Sequence, residues 1–189
     1  PRDGNPCNEC EHCVGILNEQ LLDVVEMDAA SNNSVDDIRE LRDKVIYAPA
    51  VLPYRVYIID EVHMLSKGAF NALLKILEEP PNHLIFILAT TEPERIPATI
   101  LSRCQRYDFH RISALEMVSH MEHVVAEEDR TVDDKVYKLI SRHADGAMRD
   151  ALSLLDQCLA LTDGFVSYED ALNSLGVTDE YQLLEVAKA

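Results

Sequence analysis

Val56-Tyr57-Ile58-Ile59-Asp60-Glu61 is the stretch that decides the fold. Its unbroken run of β-branched and aromatic residues describes a strand buried on both faces, and two carboxylates follow at once. Side chains alternate along a strand, so Asp60 and Glu61 point to opposite sides and suit different tasks. In an open α/β sheet, ligands collect beyond the carboxyl ends of the strands. There Asp60 suits a Mg²⁺ ion held through water, and Glu61 suits taking a proton from an attacking water. A strand that merely ends in solvated acids would carry the same letters, but the apolar run before the pair favours a nucleotide site.

Downstream, Leu84-Ile85-Phe86-Ile87-Leu88-Ala89 predicts a second strand buried on both faces. Between the two, Phe70 to Glu78 reads as a helix carrying Leu73, Leu74 and Leu77, and Pro80-Pro81 forces it to stop. Upstream, Leu21 to Met27 reads as a short strand and Asp28 to Asn33 as a polar loop. Ser34 with Asp37 resembles a capping box that opens a helix to about Tyr47, with Ile38, Leu41 and Val45 on one face. Pro49 and Pro53 punctuate the next loop. Strand, helix, strand in this order predicts a parallel sheet with crossover helices. After Phe109 the pattern changes to helices over Ala114–Glu128, Asp133–His143, Ala147–Leu161 and Tyr168–Leu175, with no strand between them. The expected class is α/β: a partial parallel sheet with crossover helices over residues 1–111, then a small all-helical domain over 112–176. Residues 177–189 are expected to begin a third, helical element.

The 189 residues carry a net charge of −17 and are 47% hydrophobic, enough for a packed core and too apolar for wholesale disorder. No stretch approaches the roughly 20 apolar residues that cross a bilayer, and no secretory leader is evident. The charge is uneven: −7 over residues 1–46, zero over 47–111 and −10 over 112–189. An acidic surface repels nucleic acid, so any phosphate-binding face belongs to the neutral middle. Pro1 in place of methionine, and an end at Ala189 inside a helical pattern, suggest a piece of a longer chain.

Cys7, Cys10 and Cys13 form C-x2-C-x2-C, the spacing of a structural metal knuckle in a reducing compartment, which points to a cytoplasmic protein. Zinc takes four ligands, and only three cysteines are at hand. His12 is a strained local substitute, an iron–sulfur site lacks its C-x3-C-P continuation, and three free thiols are the plain alternative. Cys104 and Cys158 read as core thiols. His63 follows Glu61 by two residues, as in D-E-x-H helicases, whose other motifs are not found; it reads as a local structural group. His120 and His123 lack a metal-ligand set.

Ile58-Ile59-Asp60-Glu61-Val62-His63-Met64-Leu65 resembles the Walker B segment of AAA+ ATPases of the clamp-loader group. Leu88-Ala89-Thr90-Thr91-Glu92-Pro93, Ser102-Arg103-Cys104 and Gly146-Ala147-Met148-Arg149-Asp150-Ala151 strengthen the resemblance, which is to the gamma/tau family of bacterial DNA polymerase III subunits. It runs over nearly the whole chain.

The resemblance implies ATP and Mg²⁺ as ligands, with Thr91, or its neighbour Thr90, as a polar sensor for the γ-phosphate. Arg103 becomes an arginine finger on the nucleotide of an adjacent subunit, and Arg149 a second sensor on the helical domain beside the hinge-like Gly146. Taken alone, these residues read as a strand-end threonine, a surface ion pair and a pairing within an acidic domain. The resemblance also implies structural Zn²⁺, with a fourth cysteine upstream. For DNA it implies backbone contacts near Ser31, Ser34, Ser66 and Lys75, although Ser34 would cap a helix in any case.

No G-x-x-x-x-G-K-[ST] loop occurs in the sequence, so the chain by itself is expected to bind ATP poorly and hydrolyse it hardly at all. The expected partners are other clamp-loader subunits, a sliding clamp and primed DNA. The expected activity is ATP-driven clamp loading, an ATPase within the polymerase holoenzyme. The alternative is a non-hydrolysing stator like the delta-prime subunit, against which the intact Asp60-Glu61 pair speaks.

Overall fold

The computed structural model describes residues 5–160 and 164–176. The chain divides into two compact units, Pro1–Tyr107 and Asp108–Ala189.

The first unit is built on a parallel sheet in the order β1 (Val24–Asp28), β2 (Arg55–Asp60), β3 (Leu84–Leu88). Val25 pairs with Tyr57 and Tyr57 with Phe86; one row further on, Met27, Ile59 and Leu88 align in the same way. These six side chains share one face. They pack with Ile38, Leu41 and Val45 of α2 (Val35–Val45) and with Ala69, Leu73 and Ile76 of α3 (Lys67–Glu78). The reason α2 forms is local. Ser34 accepts from the Asp37 amide, the Asp37 carboxylate accepts from the Ser34 amide, and the apolar residues recur at helical spacing. Ser66 caps α3 through the Ala69 amide, so the helix begins at Lys67, three residues before the predicted start, and Pro80 ends it.

The expectation that β2 and β3 are buried on both faces needs correction. On the other face Ile58 is only half-buried, and Ile85 and Ile87 are 40% and 50% exposed. Apolar letters on both faces of a strand state what it is able to bury; among the described residues α2 and α3 cover one face only. A short helix, α1 (Glu11–Leu17), was not foreseen; it carries Cys13 in its first turn, and Cys10 caps it.

Asp23 ties the unit together beneath β1. Its carboxylate is 1% exposed and accepts from the amides of Ala50, Val51 and Leu52 at 2.7, 2.7 and 2.9 Å, with Arg55 Nη2 at 3.5 Å. Burial alone would raise its pKa, but the Leu52, Val51 and Ala50 amides and then the Arg55 guanidinium outweigh it and hold it at about 2.

The second unit consists of α5 (Ala114–Glu127), α6 (Asp134–Ala144), α7 (Met148–Leu159) and α8 (Tyr168–Leu175); a short α4 (Ala98–Leu101) belongs to the first. Met117, Met121, Val136, Ile140, Ala151, Leu155 and Cys158 form its core. Contrary to expectation, strands do occur between these helices: β4 (Thr131–Val132) pairs in parallel with β5 (Phe165–Val166). Two residues are too short for a periodic signal. Gly146 sits at φ +85°, and a Cβ there would lie 2.5 Å from Arg111 Cβ, so only glycine fits between α6 and α7. The third element expected over 177–189, and the last residue of the helix expected to reach Leu161, lie outside the described residues.

Asp23→Ala strands three amides and removes the anion beside Arg55, and is expected to lower the unfolding free energy by about 3 kcal/mol near neutral pH. The carboxyl's folded pKa of about 2 lies below its ordinary 3.8, so its contribution is whole above that ordinary value and drains as pH falls toward the folded one. Urea unfolding at about pH 7 and about pH 3 should show wild type losing stability on acidification and the variant losing less of it.

Candidate active site

Four of the predicted residues, Asp60, Glu61, Thr90 and Thr91, lie at the carboxyl ends of β2 and β3. Ile59 is fully buried, Asp60 is exposed, and the Asp60 carboxylate accepts from the Glu61 amide at 2.9 Å. Glu61 adopts the left-handed conformation, φ 47° and ψ 42°, which costs a residue with a Cβ about 1–2 kcal/mol. Ordinary ladder bonds surround this turn. The Ala89 amide donates to Ile59 O at 2.9 Å and the Val62 amide donates to Ala89 O at 2.9 Å. A regular parallel ladder would return to Ala89 from the residue after Asp60, so Glu61 is one residue extra. This bulge re-aims its side chain toward the end of β3.

There the Glu61 carboxylate accepts from the Thr91 hydroxyl at 3.1 Å, and His63 Nδ1 stands 3.2 Å from the same Oε2. Thr90 is turned away from open solvent. Its Oγ1 accepts from the Glu92 amide at 3.0 Å and lies 3.0 Å from His63 Nδ1. Glu61, Thr91 and Thr90 are thus brought together, Thr91 exposed and Thr90 partly buried. His63, read from the sequence as a local structural group and not as a site residue, is a member of this group. The available signal was a polar ring in the otherwise apolar Val62-His63-Met64-Leu65 turn.

Arg103 follows α4 at the surface. Its guanidinium donates to Thr99 O at 2.7 Å and to Glu78 Oε1 at 3.0 Å, so in the single chain the surface ion pair is what exists. Arg149 is exposed on the first turn of α7 in the second unit, with no ion-pair partner among the described residues. Ser34 and Ser66 cap α2 and α3, and the Ser66 amide donates to Asn33 O at 3.1 Å, setting the two helix N-termini side by side. Ser31 donates to the Asp28 carboxylate. Lys75 stands on the last turn of α3, away from the serines.

The thiols of Cys7, Cys10 and Cys13 lie within 4.8 Å of one another, and Cys7 Sγ is 3.7 Å from Cys13 Sγ. Two sulfurs of a tetrahedral zinc site stand about 3.8 Å apart, the edge that Zn–S bonds of ~2.3 Å impose; the Cys7–Cys13 distance matches that edge, and three clustered thiols are donors that suit zinc. The amides of Glu9 and Cys10, then the thiols of Cys10 and Cys13, lower the Cys7 pKa to about 6, favouring the thiolate a metal needs. His12 is not drawn into the group among the described residues. Burial raises both Cys104 and Cys158, as befits core thiols.

Sequence comparison matches residues 1–113 to the family described as DNA polymerase III, delta subunit, and residues 116–164 to the ATPase lid domain of the DNA polymerase III clamp loader subunit. The chain is 55% identical over 184 residues to the DNA polymerase III subunit tau of Bacillus subtilis, covering 97% of this chain and 33% of that one. The gamma/tau subunit of Mycobacterium tuberculosis is 51% identical over 178 residues, 93% of this chain and 31% of that one. The tau subunit of Escherichia coli is 45% identical over 97% of this chain and 29% of its own length. The chain therefore spans about a third of the length of these relatives. Among solved structures, the RuvB Holliday junction branch migration motor of Thermotoga maritima superposes with a TM-score of 0.68 at 16% identity, over 90% of this chain and 59% of that one. At that identity the likeness is one of fold: a parallel sheet with helices, followed by a helical domain.

Proposed function

The chain belongs to the clamp-loader family of DNA polymerase III subunits, and from that premise we propose that it is part of an ATP-hydrolysing subunit that drives loading of a sliding clamp onto primed DNA. The observation that carries this is the left-handed Glu61, held by Thr91 at the carboxyl end of a parallel sheet beside the exposed Asp60. A subunit with no hydrolysis to perform has no use for a carboxylate held at that cost.

In this reading Asp60 would hold Mg²⁺, which would supply neutralising charge for the phosphates. Glu61 accepts the proton of the water that attacks the γ-phosphorus, and its bonds from Thr91 and the bulged backbone aim its oxygen at that water. Thr91, close to Glu61, exchanges its hydroxyl bond between the carboxylate and the γ-phosphate. Arg103 leaves Glu78 and reaches the nucleotide of the neighbouring subunit, where a guanidinium stabilises the spreading charge. Arg149 contacts the phosphates of its own subunit. Cys7, Cys10 and Cys13 would hold a structural Zn²⁺ with a fourth ligand from outside the chain, and would supply no chemistry. The paired N-termini of α2 and α3, with Ser31, Ser34 and Ser66, face the DNA backbone; Lys75 contributes long-range charge only. The protein works in the cytoplasm with other clamp-loader subunits, the clamp and primed DNA. With no phosphate loop in its sequence, the 189-residue chain alone has negligible turnover.

A second reading, a non-hydrolysing stator, draws on the family description that names a delta subunit for residues 1–113. Steady-state ATP hydrolysis by the full-length protein, assembled with its partner subunits and given clamp and primed DNA, separates the two. Glu61→Gln should keep ATP binding and lose turnover by about 10²–10⁴-fold, and a subunit whose assembly is indifferent to the change is a stator. Arg103→Ala should leave its own subunit's ATP affinity intact and slow the assembly's hydrolysis by roughly 10³-fold; a silent substitution removes the finger. Cobalt(II) added to the full-length protein should produce a thiolate charge-transfer absorption at one equivalent per chain, displaced by zinc and lost in Cys10→Ser.

A further inference from the structure

Among the described residues, His63 is the one buried titratable side chain at the site to which the hydrolytic reading gives no task. It is 8% exposed, and its two ring nitrogens engage three groups. Nδ1 is 3.2 Å from Glu61 Oε2 and 3.0 Å from Thr90 Oγ1, and Nε2 is 3.1 Å from Glu92 Oε1. The Glu92 carboxylate also accepts from Arg95 Nη1 at 2.9 Å, and the Glu92 amide donates to Thr90 Oγ1 at 3.0 Å.

The protons can be placed from these partners. A carboxylate only accepts, so Nε2 carries a hydrogen and donates to Glu92. Thr90 Oγ1 already accepts from the Glu92 amide, which leaves its own hydrogen free for Nδ1 in the neutral ring. A doubly protonated ring donates from Nδ1 instead, toward Glu61 and Thr90. The neutral ring is bonded to Glu92 at one end and Thr90 at the other and only abuts Glu61; the doubly protonated ring adds a bond from Nδ1 to the Glu61 carboxylate. It therefore forms a rigid bridge from the turn after β2 to the segment after β3. Glu61 is in a strained backbone conformation, and its carboxylate is more than a third exposed. A side chain in that situation keeps one orientation only if neighbours impose it.

We propose that His63 is a positioning residue: it braces the Glu61 carboxylate against the Thr90–Glu92 segment, so that the base is aimed before nucleotide arrives. This rests on the reading of Glu61 as the general base. His63 touches no substrate; its effect is confined to the chemical step, and nucleotide affinity does not depend on it.

The test is steady-state and single-turnover ATP hydrolysis by the full-length protein in its assembly, with binding of a fluorescent ATP analogue measured separately. His63→Ala is expected to lower kcat by at least about tenfold with the KM for ATP and the analogue's Kd unchanged. His63→Asn, whose amide nitrogen occupies the place of Nδ1, should recover most of kcat, and His63→Gln, which reaches toward Glu92 alone, should recover less. Glu92→Gln, at a half-exposed position where folding is not at risk, should lower kcat by about threefold at constant KM. A wild-type kcat in His63→Asn and His63→Ala alike overturns the proposal, as does a loss that appears equally in KM and in analogue binding, since that is what a purely structural ring would produce. If His63→Ala does not fold, Glu92→Gln decides, and unchanged kcat there overturns the bridge. Glu61→Gln run in parallel keeps the two ideas apart: turnover retained in that variant removes the base itself, whereas its loss beside a normal His63→Ala removes only the brace.

Discussion

Two backbone hydrogen bonds on Ala89, one to Ile59 and one from Val62, hold the end of β2 against the end of β3, and the site depends on them. They enclose one residue more than a regular ladder admits. That residue is Glu61, and the surplus is absorbed by a left-handed backbone. The strain is local, whereas the bonds that impose it belong to a sheet whose rows Val25-Tyr57-Phe86 and Met27-Ile59-Leu88 are packed into the core. Packing energy spread over two helices thus maintains a conformation that Glu61 would not adopt alone. The same geometry brings a carboxylate, two hydroxyls and an imidazole from segments about 30 residues apart within hydrogen-bonding distance.

Charge is arranged around this sheet with some economy. The chain is strongly acidic, yet residues 47–111, which carry β2, β3 and the segment through Arg103, are neutral. The acids of α2 are used locally: Asp37 completes a capping box, Glu40 pairs with Lys44 at 2.7 Å and Asp36 with Arg39 at 2.9 Å. Such exposed pairs add little stability. Asp23 is the exception, because its carboxylate is buried and replaces a turn's worth of backbone acceptors for residues 50–52. The second unit relies on different devices: capping boxes at Ser113 and Ser167, a methionine-rich apolar core and a glycine that alone fits beside Arg111.

The strands, the main helices and the change from α/β to helical character were legible in the sequence because each follows from periodicity and from residues within a few positions of one another. Tyr168–Leu175 was read to the residue, since its cap and its terminal glycine are both local signals. The two-residue strands β4 and β5 were not, because their pairing partners lie more than 30 residues apart and neither is long enough to show a period. Strand burial was over-read for a related reason: the letters of β3 describe two apolar faces, and nothing in them says how many layers are present to cover them.

The sequence by itself determined that Asp60 and Glu61 stand at the end of a strand, that three cysteines lie close enough to share an ion, and that Ser34 starts a helix. All three are questions of spacing along one chain. Only the tertiary structure decided that Glu61 is the surplus residue of a bulge, that its partners are Thr91 and His63, and that Arg103 rests on Glu78. These depend on the register between β2 and β3 and on the packing of α3 against α4. Register and packing join residues distant in the chain, and no local pattern records them.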